Sequence, residues 1–314
     1  MLKGLSVMGN NIKTVVLLAV LTAFIVWVGQ IMGGTTGMVI ALILAAAMNF
    51  FSYWFSDKLV LKMYKAKEVS PNEVPLVYEI VKKLTVRAGL PMPKVYLIPE
   101  ESPNAFATGR DPEHAVVAVT VGLVHLMNKE ELEGVIAHEL AHIKNRDILI
   151  GSIAATLAGA IMLLANMARF AAFFGGRSGD DNNNGGGGII GLILMSVIAP
   201  VAAMIIQMAI SRSREFLADS TGAGFAGNSK GLSEALAKLG SYSKNLPMAA
   251  NPSTAHMFIV NPLSGKSLIY LFSTHPPLEE RIQRLGGIST ENLNDGSKPD
   301  RGEEAAKTFW KNLS

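Results

Sequence analysis

The 314-residue chain contains no cysteine. Disulfides, iron–sulfur clusters, thiolate metal sites and a cysteine nucleophile are therefore excluded, and any metal must be held by His, Asp or Glu. Charge is also scarce: 17% of residues are Asp, Glu, Lys or Arg, against about 25% in a soluble globular protein. With 49% hydrophobic residues and a mean hydropathy of +0.32, a purely soluble chain is not expected. Disorder throughout is excluded, because it needs the opposite composition. The net charge of +3, from 28 basic and 25 acidic residues, is too slight to point to a nucleic-acid partner.

The missing charges are concentrated in a few places. No Asp, Glu, Lys or Arg occurs from Thr14 to Ser56. A single helix of that length would measure about 65 Å, roughly twice the hydrocarbon thickness of a bilayer. Gly33-Gly34-Thr35-Thr36-Gly37 offers the break, so the segment is read as a helical hairpin, Val15–Met32 and Met38–Phe55. The second helix ends in Phe50, Phe51, Tyr53, Trp54 and Phe55, an aromatic belt for a membrane interface, followed at once by Lys58, Lys62, Lys65 and Lys67. A cleaved signal peptide is the alternative for the first helix. Against it, the run is long, has no clear small-x-small cleavage site and leads into a second span.

Two further uncharged runs, Ile148–Ala168 and Ile189–Ile210, flank a loop at 175–188 that holds Asp180, Asp181, three Asn and several Gly. They are read as a second hairpin, the alternative being a buried helix pair of a soluble domain. Lys3 and Lys13 before the first span, the lysines after the second, and Arg212 and Arg214 after the fourth orient the chain. Both termini and the segment 57–147 are expected in the cytoplasm. The organisation expected is a cytoplasmic N-terminus (1–13), hairpin 1 (14–56), a first part of a soluble domain (57–147), hairpin 2 (148–210), a second part (211–288) and a polar tail (289–314). The fold class is an α-helical integral membrane protein of four transmembrane helices carrying a cytoplasmic α+β domain.

Within the soluble parts, 72–88 reads as an amphipathic helix and Lys94–Ile98 and Ala115–Thr120 as strands. Helix resumes at Lys129, and Gly231–Leu239 and Leu278–Leu285 read as short helices. The helix from Lys129 contains His138-Glu139-Leu140-Ala141-His142. Histidines at i and i+4 share one helical face and can reach one metal ion, and the intervening Glu139 is placed to act as general base on a water there. With six histidines in the chain, the pattern is rare by chance.

An antiparallel hairpin 2 returns the chain to the membrane face it left, which brings Glu215 back near His142. A helix through Ser211–Asp219 then sets Asp219 one turn beyond Glu215, on the same face, where it can hydrogen-bond a ligand histidine from behind. Alone, Glu215 would be an ordinary solvated carboxylate. Beside the His138–His142 helix it is the expected third ligand, and two His, one carboxylate and an open position make a catalytic zinc site. His114, His125 and His256 are assigned no role.

These motifs resemble the HtpX-type membrane zinc metalloproteases, relatives of the type I CAAX prenyl endopeptidases. The resemblance runs through about Leu285 and rests on Ser102-Pro-Asn-Ala-Phe-Ala-Thr-Gly109, His138–His142 with Asn145-Arg-Asp147, Glu215-Phe-Leu-Ala-Asp219, and Thr274-His-Pro-Pro277 with Glu280-Arg-Ile282. It implies a zincin-type endopeptidase of the prokaryotic cytoplasmic (inner) membrane, binding one zinc ion per chain and acting in proteolytic quality control and the stress response. His138, His142 and Glu215 would bind zinc, and Glu139 would be the base. The strand Ala115–Thr120 would be the edge that pairs with substrate. Asn104 would hold the substrate backbone, and His275 could stabilise the oxyanion. The partners implied are the lipid bilayer and polypeptide substrates, chiefly misfolded membrane proteins. The alternatives are a C-terminal prenyl-peptide protease and, in another class, a non-catalytic four-helix membrane protein or transporter. The transporter would need ionisable residues within the spans, and the first two spans have none.

Overall fold

The computed structural model describes residues 2–158, 212–243, 254–260 and 276–286. Most of hairpin 2 with its Gly-rich loop, His275 and the polar tail lie outside the described residues. The chain begins with α1, Leu2–Met63, interrupted where Gly33 (φ −143°) and Gly34 (φ +58°) leave helical geometry. The two halves run back along each other. Asn49 Nδ2 donates to Thr22 Oγ1 at 2.8 Å across the turn, and Gly29 and Gly37 approach so closely that a Cβ on Gly37 would lie 2.3 Å from the Gly29 carbonyl oxygen. The hairpin expected from the glycine run is thus formed, and its helices reach further than expected on both sides. Gly33–Met63 is long and apolar enough to cross a membrane.

After β1 (Lys67–Glu68), α2 (Pro75–Ala88) starts on Pro75, whose fixed φ suits a first helical turn. It stops at Gly89, left-handed at φ +60°, whose N–H reaches back into the last turn. The strands β2 (Lys94–Ile98), β3 (Ala105–Thr108) and β4 (Val116–Thr120) complete a sheet in the order β1-β2-β4-β3. β4 is parallel to β2 and antiparallel to β3. The expectation that Ala115–Thr120 forms the edge is therefore corrected. All five residues of β4 are buried and the strand is hydrogen-bonded on both sides, so it has no edge to offer. The edges are β1 and β3, and β3 lies in a segment whose Ser-Pro-Asn start reads as a loop.

The short α3 (Val121–Leu126) leads to α4 (Lys129–Asn145), the axis of the domain. A reciprocal capping box fixes its start: Asn128 Oδ1 accepts from Glu131 N–H, and Glu131 accepts from Asn128 N–H. Leu132, Val135, Ile136, Leu140 and Ile143 are at most 1% exposed. Each contributes about 1.5–3 kcal/mol of burial, enough in sum to hold the helix despite the polar groups between them. The apolar α5 (Ile148–Ala158) follows, and its Ile150, Ile153 and Leu157 pack on Leu21 of the hairpin. The helices α6 (Arg212–Ala226), α7 (Lys230–Ser243) and α8 (Leu278–Arg284) complete the domain.

Two glycines let neighbouring helices close on α4. A Cβ on Gly134 would lie 2.3 Å from the Leu232 backbone nitrogen of α7, and one on Gly222 of α6 would lie 2.9 Å from the His138 nitrogen. Gly222 shares a face with Glu215 and Asp219, so this contact also sets how near those carboxylates come to the α4 histidines. Gly222→Val is expected to lower stability by about 1–3 kcal/mol, read by thermal melting, and to weaken metal binding as well. Gly224→Ala, at an exposed position on the same helix with no described atom within 4 Å of a new Cβ, should do neither.

Candidate metal centre

The centre is built from α4 and α6. His138 and Glu139 are almost fully buried on α4, and Glu215 and Asp219 are buried one turn apart on α6. The α4 helix ends at Arg146, a non-glycine residue at φ +58°. This left-handed turn folds the chain back, so that the Asp147 carboxylate reaches His142 Nδ1 at 3.1 Å. On the other histidine, Asp219 Oδ1 meets Nδ1 of His138 at 2.9 Å. Each imidazole thus has one nitrogen held by a carboxylate, which orients the ring and leaves Nε2 pointing inward.

The inward nitrogens converge. His138 Nε2 and His142 Nε2 are 3.1 Å apart. Glu215 presents one oxygen 3.8 Å from the first and the other 3.6 Å from the second. One donor atom from each of the three residues lies within 4.8 Å of the others. Zn–N bonds of about 2.0–2.1 Å at a tetrahedral angle separate two nitrogens by roughly 3.3 Å, so this donor set fits a zinc ion.

The electrostatics suit a cation at this point. Burial pushes the Glu139 carboxyl up, and with Glu215 nearby it rises to about 7 although His142 pulls the other way. Burial alone would lower His142, but Asp147, Glu215 and Glu139 together raise it to about 10. His138 is lowered, chiefly by burial. Burial disfavours the Asp219 anion, yet Arg281 and His138 outweigh it and bring Asp219 to about 2. Arg281 matches one of the three carboxylates, Asp219, at 2.7 Å, while Asp147, Glu215 and the buried acid Glu139 act together on His142.

A cleft opens on the centre, lined by Ala107 of the edge strand, Ile148 and Gly151 of α5, Arg214 of α6, and His256 to Ile259. Ala107 N–H donates to the Glu139 carboxylate. His256 Nε2 lies 3.2 Å from the Gly151 carbonyl oxygen. Phe258 stacks edge-on with Tyr64 and Phe106, at centroid distances of 5.0 and 5.3 Å. Among the residues singled out from sequence, His138, Glu139, His142, Glu215 and Asp219 are brought together. Asn104 is not in the cleft lining: it is 3% exposed, its Nδ2 donates to the Val260 carbonyl at 2.9 Å, and its Oδ1 accepts from the Ala105 N–H. The residues missed are Asp147, Arg214, His256 and Arg281. Asp147 and Arg281 stand inside recognisable motifs but without a role, whereas nothing in spacing marks His256.

A model of peptidase family M48 matches residues 71–289. The chain belongs to peptidase family M48. A protease HtpX homologue of Desulfatibacillum aliphaticivorans is 62% identical over 310 residues, 98% of this chain and 100% of that one. Another, from Thermodesulfovibrio yellowstonii, is 60% identical over 280 residues, 89% of this chain and 99% of the relative. The HtpX-type resemblance carried by the motifs is therefore shown over nearly the full length. Among solved structures, the S. mikatae Ste24p crystal structure is 20% identical with a TM-score of 0.46, covering 88% of this chain and 65% of that one.

Within this M48 centre, Asp147→Ala is expected to weaken divalent-metal binding by ~10–100-fold, measured by competition with a chromogenic chelator. An unchanged affinity would show that the contact with His142 does not orient the ring.

Proposed function

We propose that this membrane metalloendopeptidase uses zinc, held by His138, His142 and Glu215, to hydrolyse peptide bonds of misfolded or damaged membrane proteins. The observation that carries the substrate class is the position of the cleft. Its wall includes Ile148 and Gly151, from the first turn of an apolar helix packed on the N-terminal hairpin. Thr108 at the end of the edge strand bonds Ser152 of the same helix at 2.7 Å. A segment released from the bilayer would meet the catalytic groups without crossing the domain. Four spans, cytoplasmic termini and a catalytic domain on the cytoplasmic side of the inner membrane complete the proposal, supported by the lysines flanking the spans. Prenyl-peptide cleavage is the less favoured substrate class, since the high-identity relatives are HtpX homologues.

When bound, zinc supplies a Lewis acid that polarises the scissile carbonyl and makes water nucleophilic near neutral pH. Glu139 accepts the proton of the attacking water and delivers it to the leaving amine. Asp219 and Asp147 hold the two imidazoles in orientation throughout. The edge strand β3 offers the Ala107 carbonyl to an extended substrate by strand addition, while the Ala107 N–H is given to Glu139 and the Ala105 carbonyl to Ile259 N–H at 3.1 Å. A contribution of His275 to oxyanion stabilisation belongs to the same proposal and rests on the sequence match alone.

Glu139→Gln should abolish cleavage of an unfolded model protein by the detergent-purified enzyme while zinc content stays near one per chain. Simultaneous loss of both would remove Glu139 from the role of base. Glu139 must be ionised to accept a proton, so activity should fall as pH drops through its pKa. The metal-free value of about 7 is an upper bound, because an adjacent dication favours the carboxylate. The acid limb of kcat/KM is therefore expected at or below pH 7, and a limb well above it would assign the titration to another group.

A further inference from the structure

Arg281 of α8 is 0% exposed. A guanidinium so placed is tolerated only with its donors satisfied and its charge matched, and the way they are satisfied is specific. Nε donates to Asp219 Oδ2 at 2.9 Å and Nη2 to Asp219 Oδ1 at 2.7 Å, a two-pronged pairing. The same Oδ1 meets His138 Nδ1 at 2.9 Å. The remaining prong, Nη1, donates to the Ile259 carbonyl at 3.0 Å. Ile259 in turn gives its N–H to the Ala105 carbonyl of the edge strand. One planar group thus bonds the carboxylate behind a metal-ligating histidine and the strip of chain that lies along the substrate edge.

We infer that Arg281 is a positioning residue that sets the register between the metal centre and the substrate-bearing edge of β3. Its Nη2 also lies 3.4 Å from both ring nitrogens of His138 and its Nη1 3.9 Å from Glu215 Oε2, so it backs the donor set at longer range as well. Its short bonds run to Asp219, behind His138, in one direction and to Ile259, bonded to Ala105, in the other. If its purpose were packing alone, an apolar pair of equal volume could replace Arg281 and Asp219 without loss. The inference rests on the metal centre and protease activity proposed above, and the wild-type zinc measurement tests that foundation separately.

A lysine at 281 keeps the charge but has no fork to span Asp219 and Ile259 together. The test uses the full-length chain in detergent as wild type, Arg281→Lys, Arg281→Met, Asp219→Asn and the double variant Asp219→Asn/Arg281→Met. Zinc affinity is read by chelator competition. Asp219→Asn and Arg281→Met should each weaken it by ~10–100-fold, and the double variant should be no weaker than Asp219→Asn alone, because the two act in series. At saturating zinc, KM for an unfolded polypeptide should rise in both Arg281 variants and stay unmoved in Asp219→Asn, since only Arg281 holds Ile259. Thermal melting identifies a variant that fails to fold. Should Arg281→Met fail, Arg281→Lys carries both readouts. Multiplicative losses of zinc affinity, or an unchanged KM in the Arg281 variants, would overturn the inference. A wild type that binds no zinc would instead overturn the metal centre, and the inference with it.

Discussion

The structure depends on one constraint: a helix carrying two imidazoles and a carboxyl group has to be buried in the middle of the domain. Desolvating ionisable groups is costly unless each finds a partner, and the partners come from every side of α4. Asp219 on α6 and Asp147 after the left-handed turn at Arg146 hold the outer nitrogens of His138 and His142. Arg281 balances Asp219. At the start of the helix, Glu131 is capped by Asn128 and paired with Lys238 of α7 at 2.8 Å. What these contacts leave facing one another is the convergence of His138, His142 and Glu215, a donor set for a metal ion. The packing of α6, α7 and α8 around α4 follows from that need as much as from apolar burial.

The N-terminal hairpin is joined to the metal centre by contacts of ordinary kinds. Tyr64, just past the end of α1, stacks on Phe106 of the edge strand and Phe258 of the cleft wall, and its hydroxyl bonds Thr254. The helix α5 leaves α4 after a single turn of irregular chain and lines the cleft with its first residues. Hairpin and metal centre therefore share side chains, and displacement of the hairpin would be felt at Phe258 and at β3.

Sequence made the centre legible because its spacing is imposed by helix geometry. His138 and His142 must be four apart to share a face, and Asp219 follows Glu215 by the same rule. The pairing of Glu215 with the α4 histidines was reachable through the expected antiparallel return of hairpin 2. The edge strand was not reachable that way. Ala105–Thr108 is a four-residue strand buried on both faces, with no alternation to reveal it, and it begins where Pro103 and Asn104 read as a turn. Val116–Thr120 was recognised as a strand, but neighbours and order in a sheet are set by long-range pairing that local pattern does not encode. The bond that Asn104 makes was not legible for the same reason: its partner, Val260, is 156 residues away. His256 and Arg281 acquire meaning only once distant segments are brought together.

The most direct test of the account is to locate the metal. Anomalous diffraction at the zinc edge from crystals of the zinc-loaded full-length protein should show one peak per chain. That peak is expected at about 2.0–2.2 Å from His138 Nε2, His142 Nε2 and a Glu215 oxygen. A peak held by other residues, or a zinc-loaded protein with no peak between α4 and α6, would contradict it.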